Sequence, residues 1–354
     1  MKIIHTADVH LGAKMDSVLP KEVSDKRKEE LRNTFRKMVE YARKNDVGVI
    51  MLCGDIFDSD APFQKDKEFF YNVIRNNPEI DFLYLKGNHD IAGDYSGEAI
   101  SNLKTFSSEW KCYQYGNIAI WGAEITAENA ISLYSSLSLD KDCVNIVMLH
   151  GHVSDTYGKD KINVKKLRDK NIDYLALGHI HKPQLSVKVD DRAVYSYCGC
   201  LEGRGFDETG VHGFILLDID EKVTPAFIPF AEREIVEEDV DITGVEEAYN
   251  AYRKVRESVS FDQKNIYRIN LTGEIEFDVD ALDRDVAKYL SADCFFVTVK
   301  DKTGKKLDVS AYEKDTSLKG EFVRCVYNNP DYSEDEKKKI IAYGLKALNG
   351  GTIE

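Results

Sequence analysis

A chain of 354 residues, 43% apolar and 31% charged, has room for two domains and the balance of a globular protein, not a disordered one. The absence of any apolar run of about 18 residues excludes a membrane-spanning helix, and a net charge of −14 argues against a whole-surface grip on nucleic acid while allowing a local basic groove. Seven scattered cysteines without a CxxC pair suit reduced thiols, and the opening MKIIHTADVH lacks a signal peptide's apolar core, so a cytoplasmic, membrane-free residence is expected.

Short apolar runs rich in Ile, Val, Leu and Tyr predict strands at residues 2–6, 47–53, 81–86, 118–123, 144–149, 174–177, 193–197 and 213–219. Between the first two, Leu31, Phe35, Met38, Val39 and Ala42 recur at three- and four-residue spacing and predict an amphipathic helix, with Ser24 as its N-cap. Its other face carries Arg27, Lys28, Arg32, Arg36 and Lys37. Further helices are expected at 65–76 and 164–170. The first part therefore reads as a layered α/β domain with a sheet-rich second half. The acidic stretch REIVEEDVD at 233–241 reads as a solvated linker or edge. Beyond it the pattern predicts a helix at 245–257, a strand at 265–271, a helix at 280–290, a strand at 294–300 and a helix at 334–348. The expected division is residues 1–232 and a small α+β domain at 233–354, with no internal repeat.

Five motifs follow predicted strands, in the turns where open α/β sheets place ligands: Asp8-x-His10, Gly54-Asp55-x-x-Asp58, Gly87-Asn88-His89-Asp90, His150-Gly151-His152 and Gly178-His179-x-His181. Seven of the eight histidines fall in or beside them, and His212 stands alone. Taken singly, Asp8 and His10 read equally well as a strand end and a helix cap, Gly87-Asn88 reads more readily as a turn, and His179 or His181 as a satisfied polar residue. The ordered set reads as a two-metal site. Imidazole with carboxylate suits Mn²⁺, Fe²⁺ or Zn²⁺, and the absence of thiolate argues against a structural zinc. Asp55, beside the small Gly54, is the natural bridge between two cations. Asp8, His10 and one later histidine would complete one site. Asn88, His150 and the other of His179 and His181 would complete the second, the pair pointing the same way from extended backbone. An activated water would then attack phosphorus in line. His89 could contact the phosphate or protonate the leaving oxygen, with Asp90 on its second ring nitrogen. His152 reads as a substrate or supporting contact, or as an idle loop residue. The close pair Cys198 and Cys200 reads as buried small side chains.

These motifs look like the signature of the calcineurin-like metallophosphoesterases. KIIHTADVHLG, CGDIFD and LKGNHD resemble more specifically the SbcD-type DNA-repair exonucleases, strongly over roughly residues 1–220 and loosely in the C-terminal part. The resemblance implies a four-layer α/β/β/α sandwich followed by a smaller C-terminal α+β capping domain that contacts DNA or a partner. It assigns Asp8, His10, Asp55 and His181 to one metal, Asp55, Asn88, His150 and His179 to the other, and the catalytic role to His89 with Asp90. It also implies two divalent ions, typically Mn²⁺ with Mg²⁺ as a further candidate, phosphodiester hydrolysis on DNA, an SbcC-type SMC-like ATPase partner and a possible homodimer. The chain ends soon after the 334–348 helix, where longer relatives carry an ATPase-binding segment, which leaves that partner open. DNA contact is expected from the first helix's basic face, from the lysines between 159 and 170, and from Arg204 in a glycine-rich loop. The competing readings are a metallophosphoesterase for small phosphodiesters or phosphoproteins, and a non-catalytic binding scaffold.

Overall fold

The computed structural model describes residues 1–15, 19–59, 61–90, 99–276, 281–305 and 309–348. Two compact units result: Met1–Val236 with Lys264–Ile266, and Glu237–Gln263 with Tyr267–Glu354.

The first unit holds two six-stranded sheets. One runs Val223–Pro229, Gly213–Ile219, Lys2–Thr6, Val47–Cys53, Asp81–Leu85 and Leu103–Thr105 across its width. The other runs Gln184–Lys188, Val194–Tyr197, Tyr174–Gly178, Val144–His150, Ile118–Gly122 and Lys111–Tyr115. Central neighbours are parallel, while the flanking hairpins are antiparallel. Strands sealed on both faces need apolar residues at every position, which is why VGVIMLC and VNIVMLH read as near-continuous runs.

Alternation then sorts those residues between layers. Val49, Met51 and Cys53 meet Ile120, Ile146, Met148 and Tyr174 in the core between the sheets. Ile50 and Leu52 face the helices Lys21–Lys44 and Gln64–Arg75 through Leu31, Phe35, Met38 and Phe70. On the far side, Val147, Leu149, Leu175 and Leu177 are covered by Leu133, Tyr134 and Leu167. The α/β/β/α order holds, with a fourth layer reduced to the four-residue helix Leu133–Ser136 and a 3₁₀ turn, Val164–Leu167.

That turn corrects the helix expected at 164–170, where the chain leaves helical geometry at Arg168, with φ −62° and ψ 145°. The long helix starts at Lys21 after Pro20, so Ser24 is not its N-cap. Ser24 is buried, and its hydroxyl donates to Lys14 O (3.0 Å). Of the two readings of residues 235–241, the edge holds and the linker does not: they form an edge strand of a three-stranded sheet, with Ile235 and Val240 buried among acidic residues that face water.

The second unit is built on a three-stranded sheet, Ile235–Asp241, Ile266–Thr272 and Phe296–Asp301. The helices Ala248–Ser258 and Leu282–Leu290 bury Ala251, Val255, Leu282, Val286 and Leu290. Residue 280, the expected start of the second of these, lies outside the described residues. The helices Leu318–Tyr327 and Glu334–Leu348 pack through Val323, Val326 and Ile341.

Candidate metal centre

The parallel strands of both sheets end at one edge, and the five motifs occupy the turns there. After Lys2–Thr6 the backbone enters the left-handed region at Asp8 and again at His10, both with φ 51°. Asp55 (φ 51°) and His179 (φ 100°) do the same. Such strain persists only where the surroundings over-determine it, and it clusters at functional sites. Here loop-to-loop bonds fix it: the Asp8 amide donates to Gly54 O (2.9 Å) and the His10 amide to Asp55 O (3.0 Å). The Asp8 carboxylate accepts from the His179 amide, at 3.0 and 2.9 Å to its two oxygens. Because the chain turns at His179, that residue and His181 do not share a side of an extended strand as expected; they serve different clusters.

The first cluster is Asp8, His10 and His181, with one ligand-type atom of each within 4.8 Å of the others. The His10 and His181 Nε2 atoms face each other at 3.2 Å. His181 Nδ1 lies 2.6 Å from Glu208 Oε1, and His10 Nδ1 approaches Asp58 Oδ1 to 3.2 Å in ion-pair geometry. Carboxylates beside both Nδ1 atoms favour the proton there, so the lone pairs of both Nε2 atoms converge beside Asp8. Facing lone pairs repel unless a cation stands between them. Their separation suits one cation with metal–nitrogen bonds of about 2.0–2.1 Å.

The second cluster is Asp55, His150 and His179. His150 donates through Nδ1 to Cys53 O (2.9 Å), which turns Nε2 toward Asp55 Oδ2 (3.3 Å) and Asn88 Oδ1 (3.1 Å). Asn88 Oδ1 is also 3.3 Å from His179 Nδ1. Glycines make this closeness possible. A Cβ on Gly54 would stand 2.2 Å from His150 Nδ1, and one on Gly87 would stand 2.2 Å from Asp55 Oδ1.

The electrostatics are those of groups waiting for a cation. Burial pushes Asp8 up to about 6 against the pull of His150 and His181, and pushes His10 down to about 4 despite Asp58. Burial disfavours charge on His150 as well, but the hydrogen bond and charge of Asp55 raise it to about 9. That proton sits where carboxylate, amide oxygen and imidazole nitrogens converge. Burial would raise Asp55, yet its bond to His150 holds it well below the usual carboxylate range.

The remaining candidates fall around this centre. The His89 amide donates to Asp55 Oδ1 (2.9 Å), its Nδ1 lies 3.1 Å from Asp58 O, and its ring meets that of His10 edge-on at 5.3 Å. Asp90 is not on the His89 ring. Its carboxylate accepts from the amides of Phe57 (2.9 Å), Gly87 (3.0 Å) and Ile56 (3.2 Å), pinning the two loops together. Arg204 is committed to Asp58 (2.9 Å) and Glu208 (2.6 Å) rather than to open solvent. His152 is half-buried, its ring 5.8 Å from that of His179. Cys198 and Cys200 are buried. An open cleft of 360 Å³ beside the second cluster is lined by Asn88, His150, Glu124, Lys86 and Lys159.

Residues 1–183 match the family described as calcineurin-like phosphoesterase. The chain belongs to that family. This metallophosphoesterase is thereby a hydrolase of a family that binds two divalent metals, and its two clusters supply donors of the fitting kind. It is similar to an uncharacterized metallophosphoesterase of Bacillus subtilis, YhaO, at 31% identity over 62% of this chain and 57% of the relative, little more than half of that protein's length. It is similar to a DNA double-strand break repair protein, Mre11, of Sulfurisphaera tokodaii at 23% identity, covering 96% of this chain and 92% of the relative. The SbcD component of the nuclease SbcCD from Staphylococcus saprophyticus is 25% identical over 65% of this chain and 69% of its own.

Two residues without an assigned sequence role enter this metallophosphoesterase's centre. Asp58 stands in the Gly54-Asp55-x-x-Asp58 motif, and that spacing was its only signal. Glu208 lies 27 residues after His181, in a loop with no signature of its own.

Proposed function

We propose that this metallophosphoesterase is a Mn²⁺-dependent nuclease that hydrolyses DNA phosphodiester bonds from an end, in DNA repair. Its relatives Mre11 and the SbcD component of SbcCD support the substrate, the former over nearly the whole chain. The observation that carries the reading is the placement of Asp55. Its carboxylate lies 3.3 Å from His150 Nε2 of one cluster, and its backbone carbonyl accepts from the amide of His10 of the other at 3.0 Å. Asp8, His10 and His181 would hold one ion, Asn88, His150 and His179 the other, and Asp55 both. Two divalent ions in those positions supply a water acidified for in-line attack and offset charge on the phosphoryl oxygens.

The chain's own residues do the rest. Asn88 contributes a neutral oxygen, keeping the centre less negative than an all-carboxylate cage and open to a phosphate. The Asp58 carbonyl accepts from His89 Nδ1–H, which fixes that ring and leaves Nε2 as the atom that, with the ring protonated as imidazolium, would hand its proton to the leaving oxygen. The second unit would act as the cap, and an SMC-like ATPase of the SbcC type would be the partner.

The test is cleavage of end-labelled single- and double-stranded DNA in Mn²⁺, Mg²⁺ or EDTA, comparing the wild type with His89→Gln. Expected is Mn²⁺-dependent shortening from an end, lost in the variant. Intact DNA together with metal-dependent turnover of bis-p-nitrophenyl phosphate would replace DNA by a small phosphodiester.

A further inference from the structure

Behind the Asp8, His10 and His181 cluster stands a second row of charges. Arg204 donates through Nη1 to Asp58 Oδ1 (2.9 Å), through Nη2 to Glu208 Oε1 (2.6 Å), and through Nε to both Glu208 oxygens (3.1 and 3.2 Å). Its own amide donates to Glu208 Oε2 (2.7 Å). Asp58 in turn faces His10 Nδ1 at 3.2 Å and Glu208 faces His181 Nδ1 at 2.6 Å. With the two Nε2 atoms 3.2 Å apart, five side chains close a ring: His10, Asp58, Arg204, Glu208, His181.

We propose that Arg204 is a positioning residue whose guanidinium ties Asp58 to Glu208 and so holds the His10 and His181 Nε2 atoms at the separation one cation needs. This rests on the functional reading above only in requiring that both clusters take a divalent ion. Three features favour it over an exposed ion pair. Glu208 and His10 are buried, at 6% and 1% exposure, so neither has water as a substitute partner. The planar fork of arginine spans two carboxylates at once, which a lysine ammonium cannot do in the same geometry. And the ring's two carboxylates face the Nδ1 atoms of the first cluster's histidines, while His150 rests its Nδ1 on the Cys53 carbonyl and His179 Nδ1 faces Asn88. Arg204 therefore sets the affinity of the first cluster and leaves the second unchanged.

The experiment is a Mn²⁺ titration of the metal-stripped full chain, followed by calorimetry and by the electron paramagnetic resonance of free Mn²⁺. The wild type takes two ions. In Arg204→Ala one binding step weakens about 10–100-fold and the other stays within about twofold. Arg204→Lys falls between. Asp8→Asn loses the same step, and adding Arg204→Ala to it changes nothing more. Glu208→Gln keeps the shape of the side chain and shows the same selective loss, so the outcome does not depend on Arg204→Ala folding. Two unchanged steps, two steps weakened alike, or unchanged metal binding with a raised KM for DNA would each overturn the proposal, the last making Arg204 a substrate contact. A wild-type chain that takes no Mn²⁺ instead overturns the functional reading on which it rests.

Discussion

Gly87 lies so close to Asp55 that a Cβ there would stand 2.2 Å from the Asp55 Oδ1 oxygen and 2.5 Å from its amide nitrogen. Neither atom can retreat easily. Oδ1 already accepts from the His89 amide, and Asp55 sits at φ 51° within the second cluster. Gly87→Ala therefore displaces a carboxylate of the second cluster, the one proposed above to serve both ions. A misplacement near 1 Å costs about 100-fold in rate. Single-turnover cleavage of a phosphodiester and Mn²⁺ affinity, measured together, should both fall. Wild-type values for both would show that the loop yields without moving Asp55.

Asp90 works on the backbone, and its removal should be read as a loss of stability. Three amides from two loops converge on its carboxylate, and Asp90→Ala leaves those of Ile56 and Phe57 buried, and that of Gly87 half-buried, without it. A hydrogen bond to a charged group contributes about 1.5–3 kcal/mol, so the unfolding free energy read from urea denaturation should drop by at least that amount. Asp90→Asn retains one acceptor oxygen and should fall in between. Were Asp90 instead the partner of the His89 ring, Asp90→Asn would alter the pH profile of cleavage, which is expected to keep its shape.

The strands were legible because burial on both faces forces unbroken apolar runs, as in VGVIMLC. Leu103–Thr105 and Gln184–Lys188, half-exposed or exposed edge strands, carry no such run and escaped notice. At the site, the residue types and their position after strands were readable, since both are local properties. The supporting contacts were not. Glu208 reaches His181 across 27 residues and Arg204 reaches Asp58 across 146, distances over which a sequence pattern has no period. Arg27 was misplaced for the same reason. It stands where a helix's solvent face was expected, but its partner Glu202 is 175 residues away.

His5, three residues ahead of Asp8, should make the protein sensitive to acid. It is fully buried, with Nδ1 3.0 Å from the Tyr174 hydroxyl and Nε2 3.2 Å from Leu177 O. Burial lowers it from 6.5 to about 3, against the raising effect of the Leu177 carbonyl. Between those pH values the unfolded chain binds the proton and the folded chain does not. Stability from this group is thus intact above 6.5 and falls by up to about 1.4 kcal/mol per unit as pH drops toward 3. Asp8, raised to about 6, acts in the opposite sense, because its folded form holds a proton that the unfolded form releases. The difference between wild type and His5→Gln isolates the histidine. Urea melts from pH 7 to 4 should show a shallower acid loss in the variant, and parallel curves would refute the assignment.

Arg27 is 1% exposed and donates to Glu30 (2.7 Å), Glu202 (2.8 Å) and the Gly203 carbonyl (2.9 Å). Glu202 also accepts from the Thr34 hydroxyl and the Glu232 amide, each at 2.6 Å, while Arg233 donates to Glu30. Removing the central cation strands Glu202, whereas Glu30 keeps Arg233. Breaking one partner of a buried pair costs about 3–5 kcal/mol, because the remaining charge lacks both water and a counterion. Arg27→Ala should lose that much. Arg27→Met combined with Glu202→Gln removes one charge of each sign and should recover part of the loss. That recovery separates an electrostatic penalty from a packing one. If the double variant is no more stable than Arg27→Ala, what Arg27 contributes is the space its side chain fills and its bond to Gly203, not the neutralisation of Glu202.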